Sequence, residues 1–215
     1  MRLLDALIGS QIRRPSGLVG RLLGHLMAHE HRPLTAWAFE PLVLSDARRT
    51  LDLGSGGGMA MRMAADLAPG ALVVGIDYAR AMAAQSASRN RGRIRRGRAA
   101  VIHGSVAALP FATGAFDAAY AIETFYFWPD PAADLREVRR TLRPGGRLVL
   151  AMDISREGPD PQHIEDNAAR LGFAVYGRDD LAGLLRQAGF TDVSVTAEPL
   201  RGKGWLRAVG TNPAP

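Results

Sequence analysis

The stretch Leu51-Asp52-Leu53-Gly54-Ser55-Gly56-Gly57-Gly58-Met59 constrains this chain more than any other. An apolar, β-compatible approach leads into it, and a good helix former, Met59 to Leu67, leads away. A strand that ends in glycines and passes directly into a helix presents backbone N–H groups at the helix N-terminus. Glycine accepts φ > 0 and lets a ligand approach the main chain closely. The turn therefore reads as a small-molecule cradle. Two nucleotide-type patterns compete for it. The glycines fall as Gly-x-Gly-x-Gly after the acid Asp52, which departs from the Gly-x-Gly-x-x-Gly of dinucleotide folds. The phosphate loop is excluded, because Met59 stands where its lysine belongs. Asp77 closes the next hydrophobic run, from Ala71, and an acid at that strand end suits a ribose diol.

With 215 residues, 47% of them hydrophobic, the chain can bury one ordinary core in one domain. No apolar run reaches the ~18 residues of a membrane span. The N-terminal stretch lacks the features of a secretory signal, so the expected compartment is the cytoplasm. The lack of cysteine excludes disulfides, thiolate zinc sites and cysteine nucleophiles. Net charge is +6 and almost wholly arginine, with Lys203 the only lysine. Basic density peaks over Arg89–Arg98, which reads either as a nucleic-acid patch or as a solvated helix end. No aromatics interleave it, which favours the second reading and leaves a small-molecule acceptor as the expected partner. His25, His29 and His31 are close in sequence, but no Asp, Glu or Cys pattern completes a ligand set around them. They read as surface histidines, and no metal is expected.

Residues 1–48 form an expected helical lid or cap ahead of a core spanning 49–215. Ser16 can cap a helix running to His29, and Pro33 suits the first turn of another through Trp37 and Phe39. From Thr50 the pattern alternates strand and helix. Strands are expected at 50–54, 71–76, 99–103, 116–122 and 146–152, and helices at 57–68, 79–91 and 130–142. Residues 161–171 and 178–188 read as further helices, and 192–196 and 205–210 as an antiparallel closing pair. Such alternation predicts a doubly wound α/β sheet with ligands at the carboxyl ends of its strands.

Taken together, these motifs resemble those of class I S-adenosylmethionine-dependent methyltransferases over about residues 45–200. Leu51 to Gly58 resembles the family's glycine motif and Val74-Gly-Ile-Asp77-Tyr78 its ribose-binding motif. Ala108 to Asp117 resembles the approach to strand four, and Leu142-Arg-Pro-Gly-Gly-Arg-Leu-Val-Leu150 the fifth-strand motif. The resemblance is closest to the small-molecule branch that includes quinone-biosynthesis enzymes. It implies a Rossmann-like, seven-stranded, mostly parallel sheet of order 3-2-1-4-5-7-6. It also implies S-adenosylmethionine as donor and S-adenosylhomocysteine as product; a monomer or homodimer is expected. By position, Gly54, Ser55, Gly56 and Gly58 line the methionine end of the donor. Asp52 orients its ammonium group, Asp77 holds the ribose hydroxyls and Tyr78 flanks the adenine. Ser105 and Val106 stand where the family often has Asp-Ala. Ile122 and Glu123 lie beside the sulfonium.

Methyl transfer from a sulfonium is an in-line displacement, so a protein contributes chiefly alignment, and a base only where the nucleophile must lose a proton. Glu123, Tyr126 and His29 are the leading catalytic candidates, with His25 and His163 behind them. The segment Ile122-Glu-Thr-Phe-Tyr-Phe-Trp-Pro-Asp130 lacks the Asn/Asp-Pro-Pro-Tyr/Phe signature of base methylation. Its aromatics read either as an acceptor pocket or as core. The sequence thus favours methylation of a small aromatic or planar metabolite. RNA methylation through Arg89–Arg98 and a non-catalytic binding subunit are the alternatives.

Overall fold

A computed structural model describes residues 31–202 and 204–214, and its elements are numbered here from residue 31. Seven strands form one sheet: β1 (Arg49–Leu53), β2 (Leu72–Asp77), β3 (Ala99–His103), β4 (Phe116–Ile122), β5 (Leu142–Met152), β6 (Thr191–Glu198) and β7 (Trp205–Thr211). Their order is β3-β2-β1-β4-β5-β7-β6, as the resemblance implies. The first five strands pair in parallel, and β7 runs antiparallel between β5 and β6.

Helices cover both faces of the sheet, which is why the central strands are apolar on consecutive residues rather than alternately. Leu51, Leu53, Val74, Ile76, Ala119, Leu148 and Leu150 share one core with α5 (Pro131–Thr141) and α7 (Arg178–Gln187). Val73, Ala118, Tyr120, Val149 and Ala151 face the other way, against α1 (Arg32–Phe39) and α2 (Met59–Leu67). The α1 helix begins with Pro33 in its first turn and buries Leu34, Trp37, Ala38 and Phe39. Its Trp37 ring lies 5.7 Å from Trp205 and its Phe39 ring 4.8 Å from Tyr120. The described part of the N-terminal segment thus packs on the sheet face. The expected helix from Ser16 to His29 lies outside the described residues.

The remaining helices are α3 (Arg80–Arg89), α4 (Arg91–Arg95) and α6 (Pro161–Leu171). The α5 and α6 helices start alike: an Asp side chain, Asp130 or Asp160, accepts from a backbone N–H three residues on, with proline at the first helical position. Most boundaries lie within two residues of expectation, a separate short helix, Arg91–Arg95, follows the helix expected at 79–91, and one strand starts earlier. The β5 strand starts at Leu142 rather than 146, because Leu142 pairs with Phe116 before the register shifts to Ala118↔Arg147. Gly145, at φ +74°, lies in the shifted stretch. Among the described residues no helix is long and apolar enough to cross a membrane.

Candidate active site

Parallel strands bring their carboxyl ends to one edge, and the glycine turn sits there between β1 and α2. Gly54 and Ser55 donate to the Ile76 carbonyl at 2.9 and 3.0 Å, and Gly58 donates to the Ser55 carbonyl at 2.7 Å. Gly54, Gly56 and Gly58 all have left-handed φ, at +79°, +48° and +76°. The surroundings of these three differ. A Cβ on Gly54 would stand 2.5 Å from Thr124 Cγ2, and one on Gly58 2.7 Å from Asn90 Nδ2 and Ser86 Oγ. A Cβ on Gly56 would meet nothing nearer than the Gly54 carbonyl at 4.0 Å. The turn is therefore packed at its two ends and open in the middle. The α2 helix begins at Gly58 with no side-chain cap.

Two acids stand under the turn. Asp77 accepts from Gly56 N–H through Oδ2 and from Ala79 N–H through Oδ1, both at 2.8 Å, so it ties the glycine turn to the end of β2. Burial raises its pKa, against the pull of those two N–H groups and of His103. Asp52 is 1% exposed and its Oδ2 has no hydrogen-bond partner among the described residues. Burial pushes its carboxyl well above the usual range, the Asp77 charge adds to that, and the Met61 N–H works against it. Ser55 Oγ is likewise buried and unpartnered among the described residues. Tyr78 lies exposed beside Asp77, and its carbonyl is 3.1 Å from His103 Nε2. Ser105 is exposed and accepts from Ala107 N–H at 3.2 Å, while Val106 rests half-buried against the core.

The end of β4 carries the other expected residues. Ile122 is buried, and Glu123 follows in a left-handed conformation, φ +59°, that is uncommon for a residue with a side chain. Glu123 Oε1 accepts from Asp153 N–H at 2.5 Å and from the Tyr126 hydroxyl at 3.0 Å. Burial raises the Glu123 carboxyl well above its ordinary range, and the neighbouring Asp153 charge pushes the same way. Burial and the Glu123 charge raise Tyr126 too. A phenol held neutral in this way is a proton donor and positioning group rather than a ready base. His31, from the residue before α1, reaches the same place: its Nε2 lies 3.9 Å from Glu123 Oε2 and 3.7 Å from Asp153 Oδ2. His29 and His25 lie outside the described residues. His163 sits on α6 against Asn167, in a contact of 2.8 Å on an exposed face.

The aromatic run after Glu123 divides. Phe125 and Trp128 are core, with ring centroids 4.8 Å apart and Phe125 4.9 Å from Tyr176. Tyr126 is buried in the same core, and it and the half-buried Phe127 turn toward Phe173, at 5.7 and 6.1 Å. Several residues at this edge escape sequence reasoning. Thr124 donates to the Leu53 carbonyl at 2.8 Å and clamps β4 to the turn. Asn90 donates to the Gly58 carbonyl at 3.0 Å from the end of α3. Gly75 leaves room in β2 for Met61 and Ser55 to approach. No motif announces these contacts, although an isolated glycine inside a strand is a usable sign of close approach.

A donor bearing an ammonium group, a carboxylate and a ribose diol suits this edge. The orphaned Asp52 and Ser55 oxygens, the open space over Gly56 and the uncapped start of α2 supply complementary charge, acceptor and donors.

A methyltransferase-domain family model matches residues 51–150. The 27-O-demethylrifamycin SV methyltransferase of Amycolatopsis mediterranei is 30% identical, over 78% of this chain and 63% of its own length. An O-methyltransferase of Aspergillus nomiae is 31% identical, over 69% of this chain and 67% of its own. Among solved structures, a Thermotoga maritima S-adenosylmethionine-dependent methyltransferase, described as a possible histamine N-methyltransferase, superposes with TM-score 0.69. It shares 20% identity, with 91% of this chain and 96% of that one covered. The chain spans 99% of one curated relative but between 32% and 67% of several others.

Proposed function

The chain belongs to the class I S-adenosylmethionine-dependent methyltransferases, and from that premise we propose that it methylates a small aromatic or planar metabolite at O, N or C. The observation that carries this reading is the pairing of an open glycine turn with the buried, unpartnered Asp52 and Ser55 oxygens. In this reading Asp52 faces the ammonium group of the donor, and Gly54, Ser55, Gly56 and Gly58 border its methionine portion. Asp77 keeps lone pairs for the ribose hydroxyls while its two backbone bonds hold the turn. Tyr78 flanks the adenine, and Ser105 and Val106 border its edge. Ile122 and Glu123 lie beside the sulfonium. S-adenosylmethionine, when bound, supplies an already activated methyl group. The chain's own residues orient the acceptor and exclude water.

Tyr126, Phe127 and Phe173 form the apolar wall for the acceptor, and the Tyr126 hydroxyl and Glu123 supply its polar contacts. The described residues ahead of β1 pack on the sheet face, and His31 is where they reach the strand ends. The name of the Amycolatopsis relative, whose acceptor is a small molecule, points the same way. The arginine-rich stretch does not favour RNA: no aromatics interleave it, and its Arg93 pairs with Asp66. Transfer of labelled methyl from S-adenosylmethionine to a panel of phenols, quinols and aromatic amines, with RNA alongside, tests the reading. Label in an aromatic compound is the expected result. Label in RNA alone overturns it.

A further inference from the structure

His31, Glu123 and Asp153 come from three separate elements. His31 precedes α1, Glu123 follows β4, and Asp153 follows β5. Each offers one atom with a ligating lone pair, and these atoms lie within 4.8 Å of one another. The contacts of His31 Nε2, at 3.9 and 3.7 Å, exceed hydrogen-bond length. They suit neighbours around a shared centre. A point central to such a triangle stands roughly 2–2.5 Å from each corner, the span of metal–nitrogen and metal–oxygen bonds. The aim of the set is held from behind. Glu123 Oε1 is fixed by Asp153 N–H and the Tyr126 hydroxyl, which turns Oε2 toward His31. Two adjacent, largely buried carboxylates also call for positive charge, and among the described residues their ion-pair partner is His31.

We infer that His31, Glu123 and Asp153 bind a divalent cation. One imidazole and two carboxylates suit Mn2+ or Zn2+ better than Ca2+, which prefers oxygen ligands alone. Three protein ligands leave coordination positions open. The site lies beside the glycine turn, since Thr124, next to Glu123, is the residue that a Cβ on Gly54 would strike. The ion's role rests on the proposed methyl transfer; the site itself does not. An ion held there would polarise the hydroxyl of an acceptor placed beside it and ease loss of the O–H proton to water. The oxygen–methyl bond then forms as the carbon–sulfur bond breaks, with its electron pair going to sulfur.

The test is calorimetric titration of the tag-free, EDTA-treated full chain with Mn2+ and with Zn2+, followed by S-adenosylhomocysteine in the same samples. The site predicts one saturable ion per chain for at least one metal. His31→Gln and Asp153→Asn should each weaken that binding tenfold or more, with S-adenosylhomocysteine affinity within about threefold of wild type. Either variant, if it melts cooperatively, suffices. No saturable ion in the wild type, or wild-type ion affinity in the folded variants, overturns the site. Ion binding without S-adenosylhomocysteine binding would leave the site standing and count against the methyl-transfer reading; the reverse would sink the site alone.

Discussion

Two glycines of the same turn should fail in different ways when each is given a methyl group. Gly56 and Gly58 both have left-handed φ, at +48° and +76°, which costs an L-residue about 1–2 kcal/mol. Replacing glycine by alanine returns about 0.4–1 kcal/mol by restricting the unfolded chain. For Gly56→Ala that is nearly the whole effect, because the new Cβ meets nothing nearer than 4.0 Å. The net loss is about 1 kcal/mol, or roughly 2–4 °C in melting temperature for a chain of this size. For Gly58→Ala the Cβ would stand 2.7 Å from Asn90 Nδ2 and 2.8 Å from Ser86 Cα, and that Ser86 atom is backbone. Overpacking adds about 1–3 kcal/mol, for a total of about 2–4 kcal/mol and a drop of roughly 5–15 °C. Binding should follow a different order. The Gly56 methyl fills the open middle of the cradle, so S-adenosylhomocysteine affinity should fall at least tenfold, about 1.4 kcal/mol, in a protein that still melts cooperatively. Circular-dichroism melts and calorimetric titration of both variants read out the two effects. Equal melting temperatures for the variants, or wild-type affinity in Gly56→Ala, would refute the division of the turn into packed ends and an open centre.

Asp77→Ala removes an acceptor of two backbone bonds as well as the proposed ribose contact, so it should lower both melting temperature and S-adenosylhomocysteine affinity, the latter by about 1–3 kcal/mol. Unchanged affinity by calorimetry would remove the ribose assignment. The carboxyl of Asp52 is raised in the fold by burial, so its share of stability is present below the ordinary carboxylate range and lost as pH rises through the raised value. Without ligand, Asp52→Asn should therefore gain on wild type as melts are repeated from pH 5 to pH 8, while binding the ligand less well. Parallel melting curves against pH would contradict this. Asp117 shows the opposite sign. Its Oδ2 accepts from Arg48 and Arg49 N–H, and Arg143 donates to its Oδ1. Although burial opposes it, the Arg143 hydrogen bond and the two backbone N–H groups lower its pKa. Its contribution is present above the ordinary carboxylate range and disappears as pH falls through the lowered value. Asp117→Asn should thus be less stable than wild type at pH 7 and nearly equal to it near pH 2, by melts across that range.

What was legible in the sequence was local. Gly54, Gly56 and Gly58 announce their turn because no other residue adopts those φ values cheaply, and Asp130-Pro131 and Asp160-Pro161 announce helix starts because cap and proline chemistry act within one turn. The apolar runs located the strands, and the shift of β5 to Leu142 was hidden by a Pro-Gly-Gly that reads as a turn yet pairs before it bends. The site beyond the cradle was not legible, because it is made by topology. Glu123 meets Asp153 across 30 residues because parallel pairing sets Ile122 beside Ala151. Thr124 reaches Leu53 across 71 residues because β1 lies next to β4. The spacing of His25, His29 and His31 suggested nothing of the carboxylates that the fold brings to His31. Within the aromatic run, Phe125, Tyr126 and Trp128 are buried and Phe127 is only partly so, by the direction of a short 3-10 turn, Phe125–Phe127, which composition does not encode.

The central claim is that the strand-end edge around Gly56 and Asp52 binds the methyl donor. Calorimetric titration of the purified full chain with S-adenosylmethionine and with S-adenosylhomocysteine tests it most directly. Binding of both at one per chain, in the micromolar range, is the predicted result. Binding of neither, by a protein that melts cooperatively, would contradict it.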